Sequence, residues 1–310
     1  GEWRAEQAKR LKAIDAYIET FRQSIARRYV EGSIVTLSGG KDSRHILFEL
    51  CRLGPPPVCF TVQPLPPKRD PNDDVICARI VAHALGAEHH VIDYDRDWVG
   101  TELDKNLLTN FGVLEHAWYM PVHAALKREP RVMFDGLGGD FLSAGAGLDP
   151  ILLGCLEKGD LEGLATRILK RRWGLTITGV AREAEFPLDR ARERVMREVK
   201  RHLGAPNPIG SFQFWNRVRR GVALCPFGIM GDHDVRAPFL DHDVFDLLAG
   251  LPASMIADRK LHADTLLRAF PQYGHLPFET RRWEADFANR LFHVAEFELL
   301  SDVLRQTRIL

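Results

Sequence analysis

Short apolar runs alternate with helical segments between residues 33 and 94, and this alternation limits most strongly how the chain can fold. The apolar runs lie at Ile34–Leu37, Val58–Val62 and His90–Tyr94. Helical periodicity marks 43–53 and 72–85 between them, and a glycine ends each helix. This strand and helix order is typical of parallel pairing with helices on both faces. We predict an α/β fold with a mostly parallel sheet flanked by helices.

The remaining chain is predicted to be mainly helical. Residues 5–28 have apolar side chains at helical spacing and a charged opposite face, which indicates an amphipathic helix. A helix around 115–128 leads into a fourth strand candidate at 131–134. Later helices are expected at 150–170, 184–203, 242–249 and 261–269. We therefore expect an N-terminal helix within 1–30 and one domain over 31–310, with an α/β part at 31–147 and a helical C-terminal half at 148–310.

Composition excludes several classes of protein. Lys plus Arg and Asp plus Glu number 42 each, so the net charge gives no sign of attraction to nucleic acid or an anionic membrane. No apolar stretch reaches the ~20 residues needed to cross a bilayer, and the first residues lack a secretory signal. The five cysteines are scattered without a Cys-x-x-Cys pair, which favours reduced thiols. We expect a cytoplasmic protein with no membrane or nucleic-acid partner.

The segment Ser38-Gly39-Gly40-Lys41-Asp42-Ser43 joins the first predicted strand to its helix. Such a junction presents backbone N–H groups and the positive end of a helix to an anion. The glycines let the backbone approach phosphate oxygens, the serines offer hydroxyl donors, and Lys41 adds a positive charge. Asp42 suits such a place only with a compensating cation, and Mg²⁺ is the natural candidate. The alternative is an ordinary tight turn in which Asp42 caps the helix.

A second glycine-rich loop, Asp135-Gly136-Leu137-Gly138-Gly139-Asp140, follows the fourth strand candidate. Both loops thus follow the carboxyl ends of strands, where open α/β sheets place their ligands. For Asp135 a structural role, in which it accepts hydrogen bonds from its own loop, is favoured over a catalytic one. The first loop is not a Walker A sequence, because Val35 stands where the first glycine belongs. Asp232-His233-Asp234 allows an alternative transition-metal site.

The first loop resembles the Ser-Gly-Gly-x-Asp-Ser loop of ATP pyrophosphatases in the adenine-nucleotide α-hydrolase superfamily. Other segments resemble the synthetase domain of asparagine synthetases, namely Phe60-Thr61-Val62, 82–90, 136–140 and above all Arg236-Ala237-Pro238-Phe239-Leu240-Asp241-His242. The resemblance covers roughly residues 31–280. It implies an ATP-dependent ligase that adenylates a carboxylate, releases pyrophosphate and passes the acyl group to an amine or ammonia.

The resemblance also implies roles for individual residues. Pyrophosphate would be held by the first loop, through Ser38, Gly39, Gly40, Lys41 and Ser43. Adenine would lie between Leu37 and Val62, and Gly136 would approach the adenylate. Mg²⁺ would be bound by Asp42 and Asp140. The catalytic residues would be Asp234 and Lys260.

Four positions depart from the asparagine synthetase pattern. Leu137 and Phe141 stand where that pattern has acidic residues, so the acceptor pocket should be less polar. Asp234 replaces a glutamate before the Arg-x-Pro-Phe-Leu-Asp segment. The lysine expected four residues before Arg268 is Asp264, which leaves Lys260 as the nearest substitute.

Several features of the reaction stay open at the level of the sequence. No glutaminase domain precedes the first loop, so ammonia from glutamine would need a separate amidotransferase or pathway subunit. A direct amine acceptor fits equally well, and the acid can be a small molecule or a peptide. A homodimer is left open. The alternatives are an ATP pyrophosphatase that modifies a nucleobase or tRNA, and an ATP-binding regulator without catalysis.

Overall fold

A parallel sheet of five strands forms the centre of the structure. The strands are β1 (Ile34–Thr36), β2 (Val58–Gln63), β3 (His89–Asp93), β4 (Val132–Phe134) and β5 (Asp234–Arg236). Their order is β3-β2-β1-β4-β5, and every neighbouring pair runs parallel. The computed structural model describes residues 2–63, 74–94, 97–113, 116–126, 131–172 and 188–279. The predicted α/β fold is confirmed.

Helices flank the sheet and make up most of the described residues beyond it. In the first half they are α1 (Glu2–Arg28), α2 (Asp42–Leu53), α3 (Asp74–Ala84), α4 (Trp98–Leu108), α5 (Tyr119–Leu126) and α6 (Gly139–Leu142). The later ones are α7 (Pro150–Glu157), α8 (Leu161–Arg172), α9 (Leu188–Lys200), α10 (Pro208–Gln213), α11 (Leu224–Ile229), α12 (His242–Ala249), α13 (Ala253–Ile256) and α14 (Leu261–Ala269). A π-helix spans Phe214–Val222, and 3₁₀ turns lie at Pro238–Leu240 and Pro271–Tyr273.

The two faces of the sheet bury separate apolar clusters, because successive strand residues point to opposite faces. Val35 and Phe134 belong to the larger cluster, which also contains apolar residues of α1, α2, α3, α12 and α14. Their neighbours Ile34 and Met133 belong to a second cluster with α5 and α11. Both faces of the sheet are therefore covered by helices. The loops at the carboxyl ends of the strands are the part of the sheet that a ligand can reach.

Helix α1 is packed into the larger cluster along one face. Tyr17, Phe21 and Ile25 are fully buried, as the amphipathic pattern requires. At its carboxyl end Arg27 and Arg28 both donate to Asp241, the residue that caps α12 through the N–H of Asp243. The boundaries proposed at residues 30 and 147 stay a prediction, and residues 280–310 of the proposed domain lie outside the described residues.

Asp241 should contribute to stability through both its cap and its arginine partners. We expect Asp241→Ala to lower the free energy of unfolding by about 2 kcal/mol, measured by urea denaturation at pH 7. Burial alone would raise the pKa of Asp241, but hydrogen bonds from Arg28 and Arg27 outweigh it and lower the pKa below 3.8. The contribution is therefore full above that unfolded-state value and is lost as the pH falls through the lower folded-state pKa.

Asp243→Ala is the matched control for this prediction. Asp243 also pairs with Arg27, at 2.9 Å, but its side chain is 60% exposed, so its loss should cost at most about 0.5 kcal/mol. Equal effects of the two substitutions would show that the buried position of Asp241 adds nothing.

Candidate nucleotide site

The two glycine-rich loops lie side by side, because β1 and β4 are neighbours in the sheet. A Cβ atom added to Gly136 would lie 2.9 Å from Cβ of Asp42, and one added to Gly139 would lie 2.6 Å from Oδ1 of Asp42. The second loop can approach the first this closely only because these positions carry no side chain. The structure thus brings together the predicted residues Asp42 and Gly136.

Hydrogen bonds within the first loop fix its shape. Ser43 Oγ accepts from the N–H of Ser38 at 2.9 Å and lies 3.0 Å from Ser38 Oγ. The N–H of Gly40 donates to Ser38 Oγ at 3.2 Å, and that of Gly39 donates to Oδ1 of Asp74 at 2.7 Å. The two serines are therefore held together, and Asp74, which the sequence analysis did not single out, holds the loop against α3.

The amino end of α2 has no side-chain cap. Lys41 precedes the helix, and no side chain caps it. Asp42 is the first helical residue and does not cap the helix, unlike in the alternative of a tight turn capped by Asp42. The first N–H groups of a helix have no partners within the helix, and together with the helix dipole they attract phosphate.

Asp42 has one buried and one more accessible carboxylate oxygen. Oδ1 is buried and accepts no hydrogen bond from the described residues. The side chain as a whole is 25% exposed, and its Cβ packs against Gly136, so the exposed part lies mainly at Oδ2. Burial raises the pKa of Asp42 to about 7, Lys41 lowers it and Asp135 raises it further. A carboxylate in this condition fits the binding of a hard cation such as Mg²⁺.

Asp140, the second predicted magnesium ligand, is exposed at the start of α6. Its Oδ1 accepts the N–H of Phe141 at 2.9 Å. Within the described residues, no group of three or more His, Cys, Asp or Glu side chains is arranged for a metal ion. An ion here would therefore need phosphate oxygens in addition to the aspartates, and the alternative metal site at residues 232–234 gains no support.

Asp135 stabilises the second loop through the hydrogen bonds that its carboxylate accepts. Its Oδ2 accepts from Thr36 Oγ1 at 2.9 Å and from the Tyr119 hydroxyl at 2.6 Å. Its Oδ1 accepts the N–H of Leu137 at 2.8 Å. The carboxylate of Asp135 is buried, and these three hydrogen-bond donors satisfy it. The structure therefore agrees with a structural role for Asp135.

The residues predicted around adenine lie at the ends of β1 and β2. Leu37 is buried, and its carbonyl accepts the Thr61 hydroxyl at 2.7 Å, while Val62 is half-buried. Their contact with adenine stays a prediction.

The two predicted catalytic residues lie on the surface. Asp234 is exposed at the amino end of β5, where Arg236 donates to it at 2.6 Å. Both loops follow the carboxyl ends of their strands. Asp234 is the first residue of β5, which runs parallel to β4, so it lies at the opposite end of the strands from the loops. Lys260 is exposed just before α14, and its backbone N–H donates to Asp258. Their catalytic roles stay predictions.

An apolar cluster surrounds the positions that depart from the asparagine synthetase pattern. Leu137 and Phe141 pack with Val218 and Val222 of the π-helix. The guanidinium of Arg217 lies 5.4 Å from the centre of the Phe141 ring. π-Helices occur frequently at functional sites, so this cluster is a candidate wall of the substrate pocket.

Arg44 ties the first loop to a distant segment and was not singled out from the sequence. Its side chain is 1% exposed and donates to the carbonyls of Pro277 at 2.5 Å and Gly39 at 3.3 Å. Its guanidinium carbon lies 4.0 Å from the centre of the Phe278 ring, and the N–H of Glu279 donates to the Gly39 carbonyl. Burial lowers the pKa of Arg44 to about 10. The segment 276–279 therefore covers one side of the first loop.

The profile of the family described as asparagine synthase matches residues 16–222, more than half of the chain and a range that contains both loops. The chain belongs to the asparagine synthase family. This places it in the adenine-nucleotide α-hydrolase superfamily. At the level of the family, the fold is that of an ATP-dependent ligase that forms amide bonds. No curated protein sequence matches the chain significantly. Among the helices described, none is both long and apolar enough to span a membrane.

Proposed function

We propose that the chain is an ATP-dependent ligase that adenylates a carboxylate and then passes the acyl group to an amine or ammonia. The observation that carries this proposal is the uncapped amino end of α2 beside Asp42, whose side chain is 25% exposed. The uncapped amino end of a helix attracts phosphate, and a partly exposed carboxylate beside it fits the cation that accompanies ATP. Membership of the asparagine synthase family supports the same reaction type.

Different residues of the chain would bind the different parts of ATP. The first loop binds the leaving pyrophosphate, with Ser38, Ser43 and Lys41 as donors around the open helix end. Leu37 and Val62 hold adenine, and Gly136 lets the second loop approach the adenylate. Asp42 and Asp140 would hold Mg²⁺, which when bound neutralises charge on the phosphate oxygens. Holding ATP and acid in line lowers the barrier to attack on the α-phosphorus.

The reaction proceeds in two steps, adenylation of the acid and transfer of the acyl group to the amine. A carboxylate oxygen bonds to the α-phosphorus while the bond to pyrophosphate breaks. The amine nitrogen then bonds to the acyl carbon, AMP leaves, and the amine loses one proton. The apolar surroundings of Leu137 and Phe141 favour an acid or amine with an apolar body, either a small molecule or a peptide. The nitrogen comes directly from an amine or from a separate amidotransferase subunit, and the protein acts in the cytoplasm.

Acid-dependent exchange of labelled pyrophosphate into ATP tests this function. We expect exchange with a subset of carboxylic acids in a library, and AMP plus pyrophosphate as products once the matching amine is added. ADP plus phosphate would overturn the mechanism. Tight ATP binding without any product would instead favour a regulator, and exchange stimulated by RNA would favour a nucleobase-modifying enzyme.

A further inference from the structure

A chain of buried polar side chains runs beneath the first loop. It joins His262 of α14 to His45 of α2, to Ser143 just after α6 and to Tyr17 of α1. His262 Nε2 lies 3.1 Å from His45 Nδ1 and 3.4 Å from the Tyr17 hydroxyl. His262 Nδ1 lies 2.9 Å from Ser143 Oγ and 3.1 Å from Oδ1 of Asp42. His262 and His45 are both fully buried, so these contacts are closed to water.

The direction of the hydrogen bonds follows from Ser143. Its hydroxyl donates to the carbonyl of Gly139 at 2.8 Å, so its oxygen is left to accept from His262. His262 therefore carries its hydrogen on Nδ1, and its Nε2 accepts from His45 Nδ1. His45 Nε2 is then a bare nitrogen, and it has no hydrogen-bond partner among the described residues.

The Nδ1–H of His262 lies at the buried side of Asp42. Nδ1 is within 3.1 Å of Oδ1, although the hydrogen bond of the ring is made to Ser143. A small rotation of the ring or the carboxylate would bring the N–H onto Oδ1, since both acceptors lie at similar distances. No hydrogen bond from another described residue reaches Oδ1. His262 is thus the donor available to satisfy that oxygen when the other one binds a cation.

We propose that His262 is a positioning residue whose Nδ1–H supports Oδ1 of Asp42, so that Oδ2 faces the cation that accompanies ATP. This inference rests on the proposed function, because it assumes that Asp42 binds that cation. Carboxylates that bind metals are themselves held by hydrogen bonds, and loss of such a bond typically costs 10- to 100-fold in metal affinity. The sequence gives no signal for this residue, since His262 lies 220 positions from Asp42 and outside the matched range 16–222.

Two substitutions separate the two ring nitrogens. The amide nitrogen of asparagine lies near the place of Nδ1, whereas that of glutamine lies near the place of Nε2. His262→Asn therefore keeps a donor for Asp42, and His262→Gln keeps only the contacts with His45 and Tyr17. The probe is Mn²⁺ bound with α,β-methylene-ATP, which cannot be cleaved, and free Mn²⁺ is followed by its electron paramagnetic resonance signal.

We expect His262→Gln to weaken Mn²⁺ binding about tenfold or more, and His262→Asn to change it less than about threefold. Binding of the analogue in EDTA should be the same for both variants, because a loosened fold would weaken it too. An equal loss of Mn²⁺ affinity in both variants, or no loss in either, overturns the proposal. If His262→Gln does not fold, Ser143→Ala decides: it leaves Asp42 as the acceptor of Nδ1–H, so a tenfold loss of Mn²⁺ affinity contradicts the proposal.

Asp42→Asn distinguishes this inference from the proposed function. If Asp42→Asn leaves Mn²⁺ affinity unchanged, the cation role of Asp42 is wrong and the proposed function loses its main support. If Asp42→Asn weakens Mn²⁺ binding but His262→Gln does not, the positioning role alone is wrong. In the double variant, His262→Gln should add no further loss, because the carboxylate that it supports is already gone.

Discussion

Replacing Asp42 by asparagine should lower the rate of pyrophosphate release by about 10³-fold, because removing the ion's ligand forfeits several kcal/mol of charge stabilisation. Asparagine has nearly the shape of aspartate, so the fold of the loop should be retained. Binding of α,β-methylene-ATP in EDTA should therefore change little. The measurement is the initial rate of pyrophosphate formation at saturating ATP, with the acid identified by the exchange assay.

Asp93→Asn is the control for this substitution. Asp93 is also at the carboxyl end of a strand, but it is exposed on β3, at the far edge of the sheet. Its loss should leave the rate unchanged. Full pyrophosphate release by Asp42→Asn would mean that this carboxylate does not bind the cation.

The second large effect is expected at Gly139, where the two loops touch. A Cβ atom there would lie 2.6 Å from Oδ1 and 2.7 Å from Cγ of Asp42, and 3.0 Å from the Phe239 ring. Phe239 is fully buried, so the carboxylate of Asp42 must move. Because displacement of a functional group by ~1 Å can cost about 10²-fold in rate, we expect Gly139→Ala to lower kcat/KM for ATP by that factor.

Gly154→Ala provides the matched control. Gly154 lies inside α7, and an added Cβ would meet nothing within 4 Å. Alanine should raise the free energy of unfolding there by up to about 1 kcal/mol without changing activity. Thermal melting of both variants separates the two effects. Unchanged kcat/KM in a folded Gly139→Ala would show that Asp42 tolerates displacement.

The elements around the first loop could be predicted from the sequence because their signals are local. The strand expected at Ile34–Leu37 is β1 (Ile34–Thr36), and the helix expected at 43–53 is α2 (Asp42–Leu53). Their apolar periodicity and flanking glycines are contained within a few residues. Once these strands and helices are assigned, the loops that follow the strands are assigned as well. Both glycine-rich segments could therefore be recognised from the sequence alone.

Elements whose shape depends on single residues or distant partners were harder to predict. The helix expected at 150–170 is divided into α7 and α8 by a turn at Gly159, whose φ of 67° breaks the helix. The helix expected at 184–203 is described as Leu188–Lys200, and residues 184–187 lie outside the described range. Strand β5 was missed, because three residues with Asp234 and Arg236 at the ends give no apolar run.

The surroundings of the site could not be predicted because their contacts link remote parts of the chain. His45 and His262 are 217 positions apart, and Arg44 reaches Pro277 across 233. Neither contact leaves a periodic pattern in the sequence. The roles of Ser38, Ser43 and Lys41 could be predicted from the sequence of the loop alone. The residues that contact Asp42 from remote parts of the chain could be identified only in the folded structure.

The contact between Arg44 and residues 276–279 also bears on how the protein is made on the ribosome. The first loop leaves the ribosome before the residues that cover Arg44 and Gly39, which are translated more than two hundred codons later. Until then the Arg44 guanidinium lacks the carbonyls of Leu276 and Pro277, to which it donates in the complete fold. The sheet strands β1 to β4 can pair before that point, but the nucleotide loop reaches its final state only after residues 276–279 have been translated. Nascent chains should therefore acquire ATP binding late and in one step, rather than gradually as the sheet forms.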